Sequence, residues 1–90
     1  MKKYIIQRNI PGAGNMTNEE LTAISKVSNA IISSLGKPYK WVESFVTEDK
    51  IYCVHEAESE DAIREHGNCG DFPVNMIEEI KAVIGPATGN

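Results

Sequence analysis

The sequence has few cysteines, few basic residues and no long apolar run, and each shortage makes a class of protein improbable. Two cysteines among 90 residues are too few for a disulfide scaffold, so we expect free thiols and a cytoplasmic protein. Nine Lys and Arg against 13 Asp and Glu give a net charge of −4, which disfavours nucleic acid and anionic membranes as partners. No apolar run approaches the ~20 residues of a membrane span, and residues 1–9 lack a signal-peptide core.

The first half of the chain predicts a strand followed by a helix. Residues 3–10 alternate between apolar and polar side chains, which is typical of a strand. Thr17 and Glu20 have the spacing of a capping box, in which each side chain binds a free backbone N–H at a helix start. Apolar residues then recur at intervals of three and four until Gly36, so we predict a helix over residues 18–35.

The second half predicts a hairpin, a short helix and a final element of ambiguous type. Residues 39–47 and 50–57 are typical of two strands joined by a two-residue turn. Ser59 is a candidate N-cap for a second helix. Residues 74–84 fit either an edge strand or a helix, and we prefer the strand because it gives each helix a sheet to cover.

These elements predict an α+β fold of the ferredoxin-like βαββαβ type. Four antiparallel strands would form one sheet, with both helices on one of its faces. A chain this short has room for one hydrophobic core. We therefore predict a single domain over residues 1–84, followed by a polar tail at residues 85–90.

Both faces of the predicted hairpin carry apolar side chains, which suggests a homodimer. The two-residue turn pairs Phe45 with Tyr52 and Val46 with Ile51. Helices can cover only one face, so a second copy is expected to cover part of the other. The apolar residues predicted on one face are Trp41, Phe45, Tyr52 and Val54, and those on the other are Val42, Val46, Ile51 and Cys53.

A few side chains could carry chemistry. Cys53 and His55 lie two apart on one strand, so they share a face and could bind one metal ion or pair a thiol with a base. They could equally be buried packing residues. His66, close to Cys69 at the end of the second helix, could lie in a small pocket or cap that helix. Glu43 interrupts an apolar face, which requires an edge, a partner or a pocket.

Sequence motifs of the common enzymes are missing. Gly12-Ala13-Gly14 lacks the third glycine of a dinucleotide site and the Gly-Lys-Ser/Thr of a phosphate loop, so it predicts a tight turn. There is no Gly-x-Ser-x-Gly and no His-Glu-x-x-His. These observations favour a binding protein over an enzyme without deciding the matter.

Several runs of the sequence resemble a known family over nearly the whole chain. They are Tyr4-Ile5-Ile6, Ile10-Pro11-Gly12-Ala13-Gly14, Trp41-Val42-x-Ser44, Val46-Thr47, Asp49-Lys50-Ile51-Tyr52-Cys53-Val54, Ile63-Arg64-Glu65-His66 and Gly70-x-Phe72-Pro73. The family they resemble comprises small bacterial proteins and includes nickel-binding proteins from actinobacteria. The resemblance implies a ferredoxin-like fold, a dimer and binding of a divalent transition metal such as nickel. His66 stands where that family has a histidine near the second helix.

Three functional hypotheses follow. The first is a non-enzymatic metal-binding protein, with His66, His55, Cys53 and Glu43 as candidate nickel ligands. The second is an enzyme or carrier for a small, partly apolar molecule in a cleft between helices and sheet, lined by Trp41, Phe45 and Tyr52. The third is a dimeric interaction module without a ligand.

Overall fold

The computed structural model describes residues 1–90 and contains four strands and two α-helices. A short 3-10 turn follows the first strand at Ala13–Asn15 and another lies at Pro86–Gly89. None of the helices is long and apolar enough to span a bilayer. The elements in chain order are β1 (Lys2–Asn9), α1 (Asn18–Ser34), β2 (Tyr39–Val46), β3 (Lys50–Ala57), α2 (Glu60–Cys69) and β4 (Met76–Glu79).

The four strands form one antiparallel sheet in the order β2-β3-β1-β4. This arrangement confirms the predicted α+β βαββαβ fold with two helices. Along β1 and β3 every second residue is buried, so one face of the sheet carries the core. Ile24 of α1 and Ile63 of α2 pack on that face, which we call the inner face. Ile6 and Ile63 are its largest fully buried apolar side chains.

The hairpin has the predicted turn but a different face assignment for its first part. Phe45 pairs with Tyr52 as predicted, and Val46 pairs with Ile51. A β-bulge between Trp41 and Glu43 inserts one extra residue into β2. The residues of β2 that precede the bulge therefore face the opposite side of the sheet from the one that strict alternation predicts. The prediction that Trp41 shares a face with Phe45 was therefore wrong.

The first helix begins as its capping box predicts. The Thr17 hydroxyl accepts from the Glu20 backbone N–H at 3.1 Å, and the Glu20 carboxylate accepts from the Thr17 N–H at 2.9 Å. The chain leaves the helix through Gly36, whose φ of 68° favours glycine. Ser59 precedes α2, as predicted, but its side chain makes no capping hydrogen bond.

The ambiguous segment at residues 74–84 contains a strand, but a short one. β4 pairs with β1 from Gln7–Met76 to Tyr4–Glu79. One more backbone bond follows, in which the Ile80 N–H donates to the Lys3 carbonyl at 2.7 Å. Residues 81–84 make no further backbone hydrogen bond to β1.

The outer face of the sheet is only partly covered. Ile5, Tyr52 and Val54 are half-buried there, and the Phe45 side chain is 53% exposed. Several apolar groups thus remain in contact with solvent in a single chain. The homodimer stays a prediction.

Candidate ligand cavity

Two buried histidines meet above the inner face of the sheet. His55 lies on β3 in the same alternating row as Cys53, as the sequence predicted, and it is 1% exposed. His66 lies on the buried side of α2 and is equally inaccessible. Their ring centroids are 5.1 Å apart and the rings meet edge to face. The fold therefore brings together the chain's two histidines, which are eleven positions apart in sequence.

Each histidine uses one ring nitrogen in a hydrogen bond. The Tyr39 hydroxyl bonds to Nδ1 of His55. The Ser28 hydroxyl lies 2.9 Å from Nε2 of His66, while Nδ1 of His66 is buried without a partner. His66 is also stacked between two rings, with centroid distances of 5.3 Å to Tyr39 and 5.6 Å to Phe72.

The surroundings keep both imidazoles neutral. Burial lowers the pKa of His55 to about 3, and the nearby charges of His66 and Arg8 act in the same direction. Burial lowers the pKa of His66 to about 4, and the Arg8 charge again adds to the effect. Burial also raises the pKa of Tyr39, which keeps its hydroxyl protonated. The protonated Tyr39 hydroxyl can donate to Nδ1 of His55 or accept from it, according to the tautomer of the imidazole.

A buried arginine completes the polar centre. Arg8 of β1 is 3% exposed, and its guanidinium carbon lies 5.5 Å from the centroid of the Phe72 ring. Nε donates to the Cys53 sulfur at 3.4 Å and Nη1 to the Pro73 carbonyl at 3.0 Å. Nη2 is buried without a partner. The ion pairs of the chain join Lys37 to Glu65, Lys40 to Glu56 and Lys81 to Glu79, so the charge of Arg8 is unpaired.

Arg8 was not among the residues predicted from sequence, although a signal was present. Tyr4, Ile6 and Arg8 lie two positions apart along β1, and all three face the inner side of the sheet. A charged residue at a position where the alternation of a strand calls for an apolar one is directed into the core. When such a charge is buried, it must be paired or functional. Extending the alternation of Tyr4 and Ile6 by one step would have identified Arg8.

These groups border a cavity of about 200 Å³ between the helices and the sheet. Its wall is mainly apolar, with Leu21 and Ile24 of α1 opposite Ile51 of β3. No aspartate or glutamate lines it. The lining residues are Arg8, Ile10, Leu21, Ile24, Ser25, Ser28, Trp41, Ser44, Val46, Ile51, Cys53, His55, His66 and Phe72.

The residues proposed from sequence are distributed over two faces. His66, His55 and Cys53 all border the cavity. Glu43 is exposed on the edge strand β2, where it pairs with Val54 of the outer face and does not border the cavity.

Of the three aromatic residues proposed for a cleft, only Trp41 lines the cavity. Its indole N–H donates to the Ser44 hydroxyl at 2.9 Å. Phe45 and Tyr52 pair with each other on the outer face, so the structure does not bring them to Trp41.

The donor set does not make a complete nickel site within one chain. No group of three or more His, Cys, Asp or Glu side chains is arranged to hold a metal ion. The Cys53 sulfur already accepts a hydrogen bond from the cationic side chain of Arg8, whose charge would repel a metal ion. Two imidazoles would remain, and nickel needs further ligands. The residues of one chain therefore do not supply a complete set of ligands for a nickel ion.

The fold and the cavity define a small ferredoxin-like protein with a buried polar centre beside an apolar cavity. The family described as "Nickel responsive protein SCO4226-like" matches residues 4–80, so the chain belongs to that family. This confirms the resemblance found in the sequence.

A solved structure supports the fold independently. SCO4226 from Streptomyces coelicolor A3(2) superposes with a TM-score of 0.77 at 14% sequence identity, covering 91% of this chain and 99% of that one. At this identity the likeness shows the fold alone. No match was found among curated proteins.

Proposed function

We propose that the chain binds a small, mostly apolar molecule in the cavity between α1, α2 and the sheet. The observation that carries the proposal is the cavity itself, which joins an apolar wall to three convergent polar side chains, Arg8, His55 and His66. Small-molecule sites are typically concave and apolar, with a few polar groups that orient the ligand. The proposal selects the second of the three hypotheses drawn from sequence.

The cavity volume limits the size of the ligand. Drug-sized molecules occupy pockets of roughly 300–1,000 Å³, and an apolar cavity of about 150 Å³ is large enough for benzene. A space of about 200 Å³ therefore accommodates a molecule slightly larger than benzene. Toluene is a suitable neutral probe of the apolar part of the cavity.

The single tryptophan provides a direct assay for this proposal. Trp41 lines the cavity and is the only tryptophan in the chain. We expect toluene to produce a saturable change in tryptophan fluorescence and to raise Tm, because a ligand that binds only the folded state stabilises it. Ser25→Phe places a ring at the cavity wall and is expected to abolish both effects.

A matched variant on the same helix controls for the substitution itself. Ser33 is exposed, so Ser33→Phe adds the same ring outside the cavity and is expected to leave toluene binding unchanged. If the wild-type protein shows no saturable binding of either toluene or benzoate, the proposal is refuted. Equal binding by the two phenylalanine variants would show that toluene binds elsewhere.

Direct binding of nickel is a second candidate, favoured by the family and by the neighbouring imidazoles of His55 and His66. In this case the remaining ligands come from outside the chain. Calorimetry with nickel, copper and zinc on tag-free protein tests it. We expect any binding heat to be lost in the His55→Ala/His66→Ala double variant and retained in Cys69→Ser, where an exposed thiol is removed. Heat that survives the double variant would rule out these histidines as ligands.

We further propose that two copies associate through the outer face of the sheet. The support is the partly exposed apolar row that includes Phe45 and Tyr52. Sedimentation at micromolar concentration should give a dimer for the wild-type protein and a monomer for Phe45→Glu. Glu58→Gln, an exposed change outside the strands, serves as the control. A monomeric wild-type protein would contradict the proposal.

A further inference from the structure

We infer that the ligand of the cavity carries a carboxylate, and that the guanidinium of Arg8 binds it. This inference rests on the proposed small-molecule function and specifies its ligand class. It depends on the unpaired charge of Arg8, a residue that neither the family description nor the sequence hypotheses assign.

The charge of Arg8 is buried without a counter-charge, which is costly. Arg8 is almost completely buried, and its guanidinium carries a positive charge. Buried charges are normally paired with an opposite charge, and no acidic side chain lines the cavity or pairs with Arg8. An anionic ligand would supply the missing charge.

Hydrogen-bond donors at the cavity also lack acceptors. Nη2 of Arg8 is a buried donor without an acceptor. When the Ser28 hydroxyl donates to Nε2 of His66, the His66 proton resides on Nδ1, which is then a second buried donor without an acceptor. Unpaired buried donors are rare and call for an explanation. A carboxylate has only acceptor sites, and its geometry matches a guanidinium.

The apolar wall defines the rest of the ligand. An inorganic anion would satisfy Arg8 but leave the surfaces of Leu21, Ile24 and Ile51 without contacts. A ring or short chain attached to the carboxylate would fill that space, in keeping with the volume of about 200 Å³. The expected class is a monocarboxylate with a single ring or a short aliphatic chain, and benzoate is its simplest aromatic member.

Benzoate and benzamide form a matched pair of probes, because they share shape and differ in charge. We expect wild-type protein to bind benzoate at least about tenfold more tightly than benzamide, since a hydrogen bond to a charged group adds roughly one factor of ten or more. Trp41 fluorescence and calorimetry measure both affinities. Arg8→Met should reduce the preference to within about twofold, as expected when no charged donor remains.

The chain offers a matched control for the arginine variant. Arg64 is its only other arginine and is exposed on α2, so Arg64→Met should retain the preference. Arg8→Met without ligand should be at least as stable as the wild-type protein, because it removes an unpaired buried charge. The comparison of benzoate with benzamide uses unmodified protein, so it remains decisive if the variant does not fold.

The possible outcomes separate this inference from the proposed function. Equal binding of benzoate and benzamide overturns the carboxylate assignment, and so does a preference for benzoate that persists in Arg8→Met. In either case, binding of toluene would still support the proposed small-molecule function of the cavity. Phosphate that binds as tightly as benzoate, and only with Arg8 present, overturns the apolar part of the ligand class. Absence of binding by toluene, benzamide and benzoate refutes the proposed function and this inference with it.

Discussion

The neutral histidines predict a steep loss of stability in mild acid. In an unfolded chain a histidine has a pKa of about 6.5, whereas burial lowers the pKa of His66 to about 4 and that of His55 to about 3 in the folded protein. Between about pH 6.5 and pH 4 the unfolded chain therefore binds more protons than the folded one. The contribution of the neutral histidines to the free energy of unfolding is fully present above about pH 6.5, and it is lost as the pH falls from about 6.5 to about 4.

The magnitude follows from the two pKa values. For His66, the difference between about 6.5 and about 4 corresponds to a loss of about 3 kcal/mol. His55 contributes a loss of the same order, and the two are not independent because their charges repel in the folded state. Each histidine adds about 1.4 kcal/mol per pH unit to the slope of the unfolding free energy. A loss of about 3 kcal/mol is a large fraction of the free energy of unfolding of a small domain.

Urea unfolding at several pH values from 7 to 4 measures this slope. The comparison is between wild-type protein and the His55→Gln/His66→Gln double variant, which contains no histidine because the chain has only two. Contributions from the carboxylates are common to both proteins and cancel in the difference. A difference that does not change with pH would show that the imidazoles titrate normally in the folded protein, and would refute the buried neutral centre. NMR titration of the two imidazoles provides an independent check.

Four further substitutions test the packing and the helix start by urea unfolding. Ile63→Ala removes a side chain with 0% exposure and should lower the free energy of unfolding by about 2–5 kcal/mol. Val83→Ala changes a side chain with 74% exposure and should alter it by no more than about 0.5 kcal/mol. Similar values for the two variants would contradict the assigned core. Thr17→Ala loses the hydrogen bond to the N–H of the residue at N3 and should cost about 1 kcal/mol, and no loss would argue against the cap. Gly70→Ala would place a Cβ 2.6 Å from the Phe72 ring and should cost about 1–3 kcal/mol, so a neutral result would contradict this close approach.

Local sequence signals predicted most of the fold. The capping box at Thr17 and Glu20 and the glycine at position 36 placed α1 almost to the residue, because helix ends depend on short-range hydrogen bonds and backbone conformation. The two-residue turn likewise set the pairing of Phe45 with Tyr52. The end of β4 at Glu79 was not predictable in this way, because the alternation of apolar and polar residues continues beyond it to Ile84.

The site was harder to predict because it depends on long-range packing. A single inserted residue in β2 moved Trp41 to the inner face, and no local pattern marked that bulge. The contact of His66 with His55 depends on how α2 lies over β3, which spacing along the chain does not specify. The row formed by Tyr4, Ile6 and Arg8 was visible in the sequence, but only burial makes an arginine there unusual.

Arg8 also determines how the two candidate ligands compare. Its Nε lies 3.4 Å from the Cys53 sulfur, so a divalent metal bound to that sulfur at about 2.3 Å would lie within about 6 Å of the guanidinium. At an effective dielectric constant of about 20, the repulsion is about 5 kcal/mol, which lowers the affinity by more than about a thousandfold. The same charge attracts a carboxylate. A nickel ion and an organic anion therefore make opposite demands on one side chain, and the unpaired buried guanidinium favours the anion.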